Sequence, residues 1–167
     1  MKATAILYTS HTGHTRRYAE LLGQALELPV FSLEEGVSRL PRGSGVIYLG
    51  WLRVSRVQGY RRAARRFSVL AVCGVGLCDT GTMLDQVRRA TSIPASIPLF
   101  TLQGGLDRSQ LKGASKLLIA MLTKGLTDQK QRTAQDQRML ELLTRDGSYV
   151  TLENLREPID WYRMGRP

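Results

Sequence analysis

The sequence is poor in cysteine, in histidine and in long apolar runs, and each shortage removes a class of protein. Two cysteines in 167 residues, Cys73 and Cys78, are too few for a disulfide scaffold and lack zinc-ligand spacing, so no metal site is expected. They point to a reducing compartment. No apolar stretch approaches the roughly twenty residues of a membrane span. The start, Met1 to Thr4 leading into a short apolar run, lacks the pattern of a secretory leader. The expectation is a cytoplasmic protein, with contact at a membrane surface left open. Histidine occurs only at His11 and His14, inside one short loop.

Acidic residues are missing altogether from Val37 to Cys78. The same stretch carries Arg39, Arg42, Arg53, Arg56, Arg61, Arg62, Arg65 and Arg66. With 24 Lys plus Arg against 14 Asp plus Glu, the chain has a formal charge of +10. Such a one-sign field attracts an anionic small molecule, an acidic protein, lipid headgroups or nucleic acid. The plain alternative is a solvated basic helix face.

What is present reads as one globular domain over 1–167, at 43% hydrophobic and 23% charged residues. Ala3 to Tyr8 is a short apolar run suited to a buried strand. Tyr18, Leu21, Leu22, Ala25 and Leu26 then form a helical stripe. Val30-Phe31, Val46 to Leu49, Ser68 to Cys73 and Ile97 to Leu102 supply four further strands. A helix built on Val57, Tyr60, Ala64 and Phe67, and another from Asp79 to Ala90 with Met83, Leu84 and Val87 inward, lie between them. Strands alternating with helices at this spacing predict an α/β fold, a doubly wound five-stranded parallel sheet with helices on both faces.

After the fifth strand comes an added segment at about 107–137. It is a helix from Ser109 to Leu126, apolar at Leu117, Leu118, Met121 and Leu122 with Lys112, Lys116 and Lys124 among them, followed by a polar stretch to Gln137. Its apolar face needs cover from the domain's own core, from a second copy in a homodimer, or from a membrane boundary. Met139 to Leu143 is expected to be the helix that covers the sheet. The last segment, from Thr151 to Trp161, is expected to bury Leu152, Leu155, Ile159 and Trp161.

The loop Ser10-His11-Thr12-Gly13-His14-Thr15 follows the first strand and opens the first helix, at the sheet edge where doubly wound folds bind ligands. Three hydroxyls, a glycine and the free amides of a helix start suit a phosphate. Neither a Gly-Lys-Ser/Thr ending nor a GxGxxG turn is present. Ser10, Thr12, Gly13 and Thr15 resemble the S/T-x-T-G-x-T phosphate loop of the flavodoxins, at the same place in the chain. Thr101 to Leu106, with the basic helix and polar stretch beyond it, resembles the flavodoxin-domain group that includes the menaquinone-linked protoporphyrinogen IX dehydrogenases.

The resemblance implies FMN, its phosphate held by Ser10 to Thr15 with Thr12 and Thr15 as direct donors. It implies that Gly50, Trp51 and Leu52, read as a loop after the third strand, lay an indole on one flavin face. Gly74, Val75 and Gly76, read as a loop after the fourth strand, would meet the other flavin edge. No aromatic stands there, which departs from carrier flavodoxins. His11 or His14 would add a charged hydrogen bond to phosphate, or else face solvent. Cys73 reads as a small core hydrophobe rather than half of a redox pair.

The implied activity is an FMN-dependent oxidoreductase with a quinone acceptor, the cofactor carrying the chemistry and no catalytic side chain being assignable. Two alternatives stand beside it. One is a flavodoxin-like electron carrier for acidic partner proteins. The other is an FMN-free basic module for nucleic acid, which the lack of interleaved aromatics argues against.

Overall fold

A computed structural model describes residues 2–165; of the expected span, Met1, Arg166 and Pro167 lie outside the described residues. The elements in chain order are β1 (Ala5–Thr9), α1 (His14–Leu26), β2 (Val30–Ser32), α2 (Leu33–Arg39), β3 (Gly45–Arg53), β4 (Arg56–Val57), α3 (Tyr60–Arg66) and β5 (Ser68–Gly76). Then follow α4 (Leu84–Thr91), β6 (Leu99–Gln103), β7 (Gly105–Leu106), α5 (Gly113–Thr127), α6 (Ala134–Thr144), β8 (Gly147–Ser148) and α7 (Arg156–Arg163). Five strands pair in parallel in the order β2-β1-β3-β5-β6, the flavodoxin-like arrangement, and β4 folds back antiparallel onto β3.

The strands are apolar throughout because helices cover both faces. Ile6, Ile47, Ala71 and Cys73 point toward α1 and α7, where Tyr18, Leu22, Leu155 and Ile159 complete one core layer. Their neighbours Leu7, Tyr48 and Val72 point the other way, against Leu33, Tyr60, Ala63 and Val87 of α2, α3 and α4. Burying each large apolar side chain is worth about 1.5–3 kcal/mol, and a one-residue slip would exchange the two faces. Register is therefore strongly specified.

Several sequence-based expectations change. The sheet is closed by α7, against α1, and not by Met139 to Leu143; α6 packs against α5 instead. Residues Gly50 to Leu52 lie within β3, and Gly74 to Gly76 within β5, rather than in following loops. Val57 belongs to β4, so the helix starts at Tyr60 and buries Ala63 while Ala64 is exposed. Leu84 and Leu152 are exposed, because Val87 and Leu155 take the inward positions. The domain's own core does not cover α5: Leu117, Met121 and Leu122 stay exposed. The helix α2 was not expected; a reciprocal capping box between Ser32 and Glu35 starts it.

Candidate functional site

The parallel register lines up the carboxyl ends of the central strands. Thr9 of β1 pairs with Gly50 of β3, Gly50 with Gly74 of β5, and Gly74 with Thr101 of β6. One residue further on, Trp51 lies beside Val75 and Val75 beside Leu102. The three segments named as candidates, far apart in the chain, thus meet along one edge.

Between β1 and α1 the chain turns through Gly13, the helix N-cap, at φ +96°. This left-handed conformation is open to glycine and strained for other residues. The Gly13 amide donates to Ser10 Oγ (3.2 Å). No side chain caps the helix and its first turn holds no acid, so the amides of His14, Thr15 and Arg16 have no intrahelical partner. Thr12 Oγ1 and His14 Nδ1 are 3.1 Å apart, and Thr15 is buried. Free amides, hydroxyls and the positive end of a 13-residue helix make this a cradle for a phosphate-sized anion.

The loop forms one wall of a cavity of about 260 Å³. Trp51 and Leu52 line it from β3, Val75 and Gly76 from β5, with Leu77 and Cys78 just beyond. His11, at the exposed rim, stacks on Trp51 with ring centroids 4.9 Å apart and planes 20° from parallel. The roof comes from the segment beyond β6: Leu118 and Ile119 of α5 with Met139 and Leu143 of α6. The Met139 to Leu143 helix, expected to cover the sheet, instead joins the added helix α5 in enclosing the site.

Three of the candidate glycines serve the protein's own packing. A Cβ at Gly50 would lie 2.5 Å from the Gln58 carbonyl oxygen and 2.6 Å from Val57 Cγ1 of the returning β4. A Cβ at either Gly74 or Gly76 would lie 2.9 Å from a Leu52 methyl carbon. Gly50 makes room for the returning β4, while Gly74 and Gly76 let Leu52 lie across β5 as part of the cavity lining.

His14 has two attachments. Beside Thr12 on one side, it reaches the Gly147 carbonyl on the other, with Gly105 next to its Nε2 and Gly104 next to its Cβ. Burial holds its pKa below the usual imidazole value, partly offset by Asp107 and by the Gly147 bond. Cys78, half-buried in the cavity wall, has its thiol pKa raised by burial and by Asp79. Cys73 is fully buried in the core, which pushes its thiol up to about 12.

Residues not singled out as site residues from the sequence brace the elements that carry the site. Gln103 reaches across from β6, its side chain donating to the Leu77 carbonyl (3.2 Å) and its amide to Thr80 Oγ1 (3.0 Å), which holds the loop after β5. The Thr101-Leu102-Gln103 run pointed to a resemblance, but nothing local indicated this bracing. Tyr48 lies beneath the site, donating to the Gln58 carbonyl (2.7 Å) and sharing a hydrogen bond with Thr9 Oγ1 (2.8 Å).

Compared with known proteins, the chain matches no family model, no curated protein and no solved structure. What the structure itself defines is a flavodoxin-like α/β fold with a roofed cavity at the carboxyl ends of its central strands. Among the described residues no helix is long and apolar enough to cross a membrane.

Proposed function

We propose that this chain is an FMN-binding flavodoxin-domain oxidoreductase that passes electrons from a reduced small molecule to an acceptor. The reading is carried by one observation: a single cavity is lined by Thr12, His14 and Thr15 of the cradle, by Trp51 and Leu52, and by Val75 and Gly76. A phosphate cradle leading into an apolar slot suits a ligand with a charged tail and a flat ring system. FMN, when bound, supplies the two-electron redox chemistry.

The chain's own residues bind and orient. Thr12, Thr15 and the first-turn amides of α1 hold the phosphate, and Trp51 offers an aromatic face to the ring. Leu52 and Val75 form the floor, while Leu118, Ile119 and Met139 exclude water. A flavin ring on the Trp51 face that His11 covers would have to displace His11. The roof favours an enzyme over a carrier, because carriers present the flavin edge to a partner surface. Arg53, at the cavity rim, gives a carboxylate-bearing substrate a counter-charge. This suits the porphyrinogen class named by the resemblance, with a quinone as the two-electron acceptor.

The test is the visible spectrum of the purified protein, followed by fluorescence titration of the apo-protein with FMN. Yellow protein, or micromolar FMN binding weakened about tenfold or more in Thr12→Ala/Thr15→Ala, is expected, since hydrogen bonds to a charged group are worth about 1.5–3 kcal/mol each. Binding that ignores the double substitution would remove the cradle from the site.

A further inference from the structure

Around β4 and the start of α3 lies a separate, open surface cleft of about 370 Å³, with Arg56 of β4, Arg61, Arg62 and Arg65 of α3, and Ala90 and Thr91 at the end of α4 around it. We propose that this cleft is a second binding site, built for a compact ligand that carries two or more adjacent phosphate groups. It shares no lining residue with the cavity described above, so the proposal stands apart from the flavin reading.

Most of the cleft's charge is uncompensated. Arg62 pairs with Glu34 at 3.0 Å, but Arg56, Arg61 and Arg65 form no ion pair among the described residues. No acidic side chain lines the cleft. Arg65 at least stands in the last turn of α3, where the helix dipole favours a cation. Arg61 has no such support, because it stands in the first turn, where the dipole opposes it. Arg56, Arg61 and Arg65 border one concavity with no acid among its lining residues, and like charges so placed repel each other. A ligand of opposite charge relieves that repulsion without rearranging the fold.

The ligand chemistry follows from the side chains. Guanidinium groups grip phosphate through paired N–H bonds, and several around one hollow suit several phosphates close together. No aromatic residue lines the cleft, so nothing is offered for stacking on a base. The recognised part is therefore the phosphate chain itself, supplied by inorganic polyphosphate or by the tail of a nucleotide. The cleft also adjoins the first site through the backbone, since the amide of Gln58, one of its lining residues, donates to the Trp51 carbonyl at 3.0 Å.

The experiment is calorimetric titration of the full chain with sodium tripolyphosphate at about 50 and 150 mM salt, to gauge screening. Saturable binding is expected, weakened about tenfold or more by Arg61→Ser/Arg65→Ser, because two charge-assisted contacts are lost. The charge-matched pair Arg156→Ser/Arg163→Ser on α7 should leave it unchanged. ATP binding no tighter than tripolyphosphate identifies the bare chain as the ligand, and ATP binding markedly tighter identifies a nucleotide. The proposal is overturned if both arginine pairs weaken binding equally, or if only Thr12→Ala/Thr15→Ala does. It is equally overturned if tripolyphosphate fails to bind while an RNA or DNA duplex binds through Arg61 and Arg65.

Discussion

The Asp79 carboxylate holds the Arg138 guanidinium by two parallel hydrogen bonds, Nη2 to Oδ1 at 2.6 Å and Nε to Oδ2 at 3.1 Å. It thereby ties α6, half of the cavity roof, to the loop beyond β5. Both side chains are about half exposed, so solvent screens the pair and it adds little to overall stability. The roof is thus fastened at this corner by a bond weak enough to open and sensitive to salt.

Cys78, next to Asp79 in the cavity wall, reports on that opening. In the native protein one thiol should react with a disulfide reagent slowly, while Cys73 reacts only after unfolding. Arg138→Ala should speed Cys78 labelling several-fold with little change in melting temperature, and added salt should speed the wild type in the same direction. An unchanged labelling rate in Arg138→Ala would mean that apolar contacts alone hold the roof.

Trp51 should respond to a bound flavin. Its indole lines the cavity, whereas Trp161 belongs to the core layer under α7. Addition of FMN should quench tryptophan emission strongly in the wild type and far less in Trp51→Phe. Equal quenching in both would place the flavin away from β3.

The depressed pKa of His14 makes stability depend on pH. With the folded value below the ordinary 6.5, the unfolded chain takes up a proton first as pH falls. The stability linked to the neutral ring is complete above that value and is lost as pH drops through the folded one. Denaturant midpoints should therefore fall below about pH 6.5, and His14→Asn should flatten that part of the profile. A slope of the same size in His14→Asn would assign it to carboxylates.

Two glycines with similar backbone angles should behave differently. Gly59, at φ +80°, has Thr9 Oγ1 2.6 Å from where a Cβ would stand, and the Tyr48 hydroxyl closer still. Gly43, at φ +83°, has open space. Gly43→Ala should cost about 1 kcal/mol from backbone strain alone. Gly59→Ala should cost about 2–4 kcal/mol, because it also disrupts the Tyr48 hydrogen bonds under the site. Urea unfolding of the two variants checks the difference.

The parallel sheet could be read from the sequence because runs such as Val46 to Leu49 are apolar on both faces, which only a doubly covered strand needs. The Ser10 to Thr15 cradle was legible for a similar reason: its hydroxyls, its glycine and the helix start are neighbours in the chain. The stack of His11 on Trp51 was not, since it exists only once β1 and β3 have paired in register. Helical periodicity showed that Met139 to Leu143 has an apolar face but could not say that α5, rather than the sheet, would meet it. The β3–β4 turn escaped notice because Val54 and Ser55 adopt positive φ without the glycine or asparagine that usually marks such a turn. Seven residues are too few for α2 to display a period, although Ser32 and Glu35 stood at capping-box spacing.

The whole roof leaves and rejoins the fold at one place. Gly105 pairs with Ser148 and Leu106 with Gly147, so the chain departs and returns through a two-stranded neck. Everything between is an excursion whose ends are already a hydrogen bond apart, and closing that neck with a shorter or longer span changes the loop entropy only slowly. Chains built on this plan can change what enters the cavity by rewriting the excursion, while the five parallel strands and the cradle keep their places.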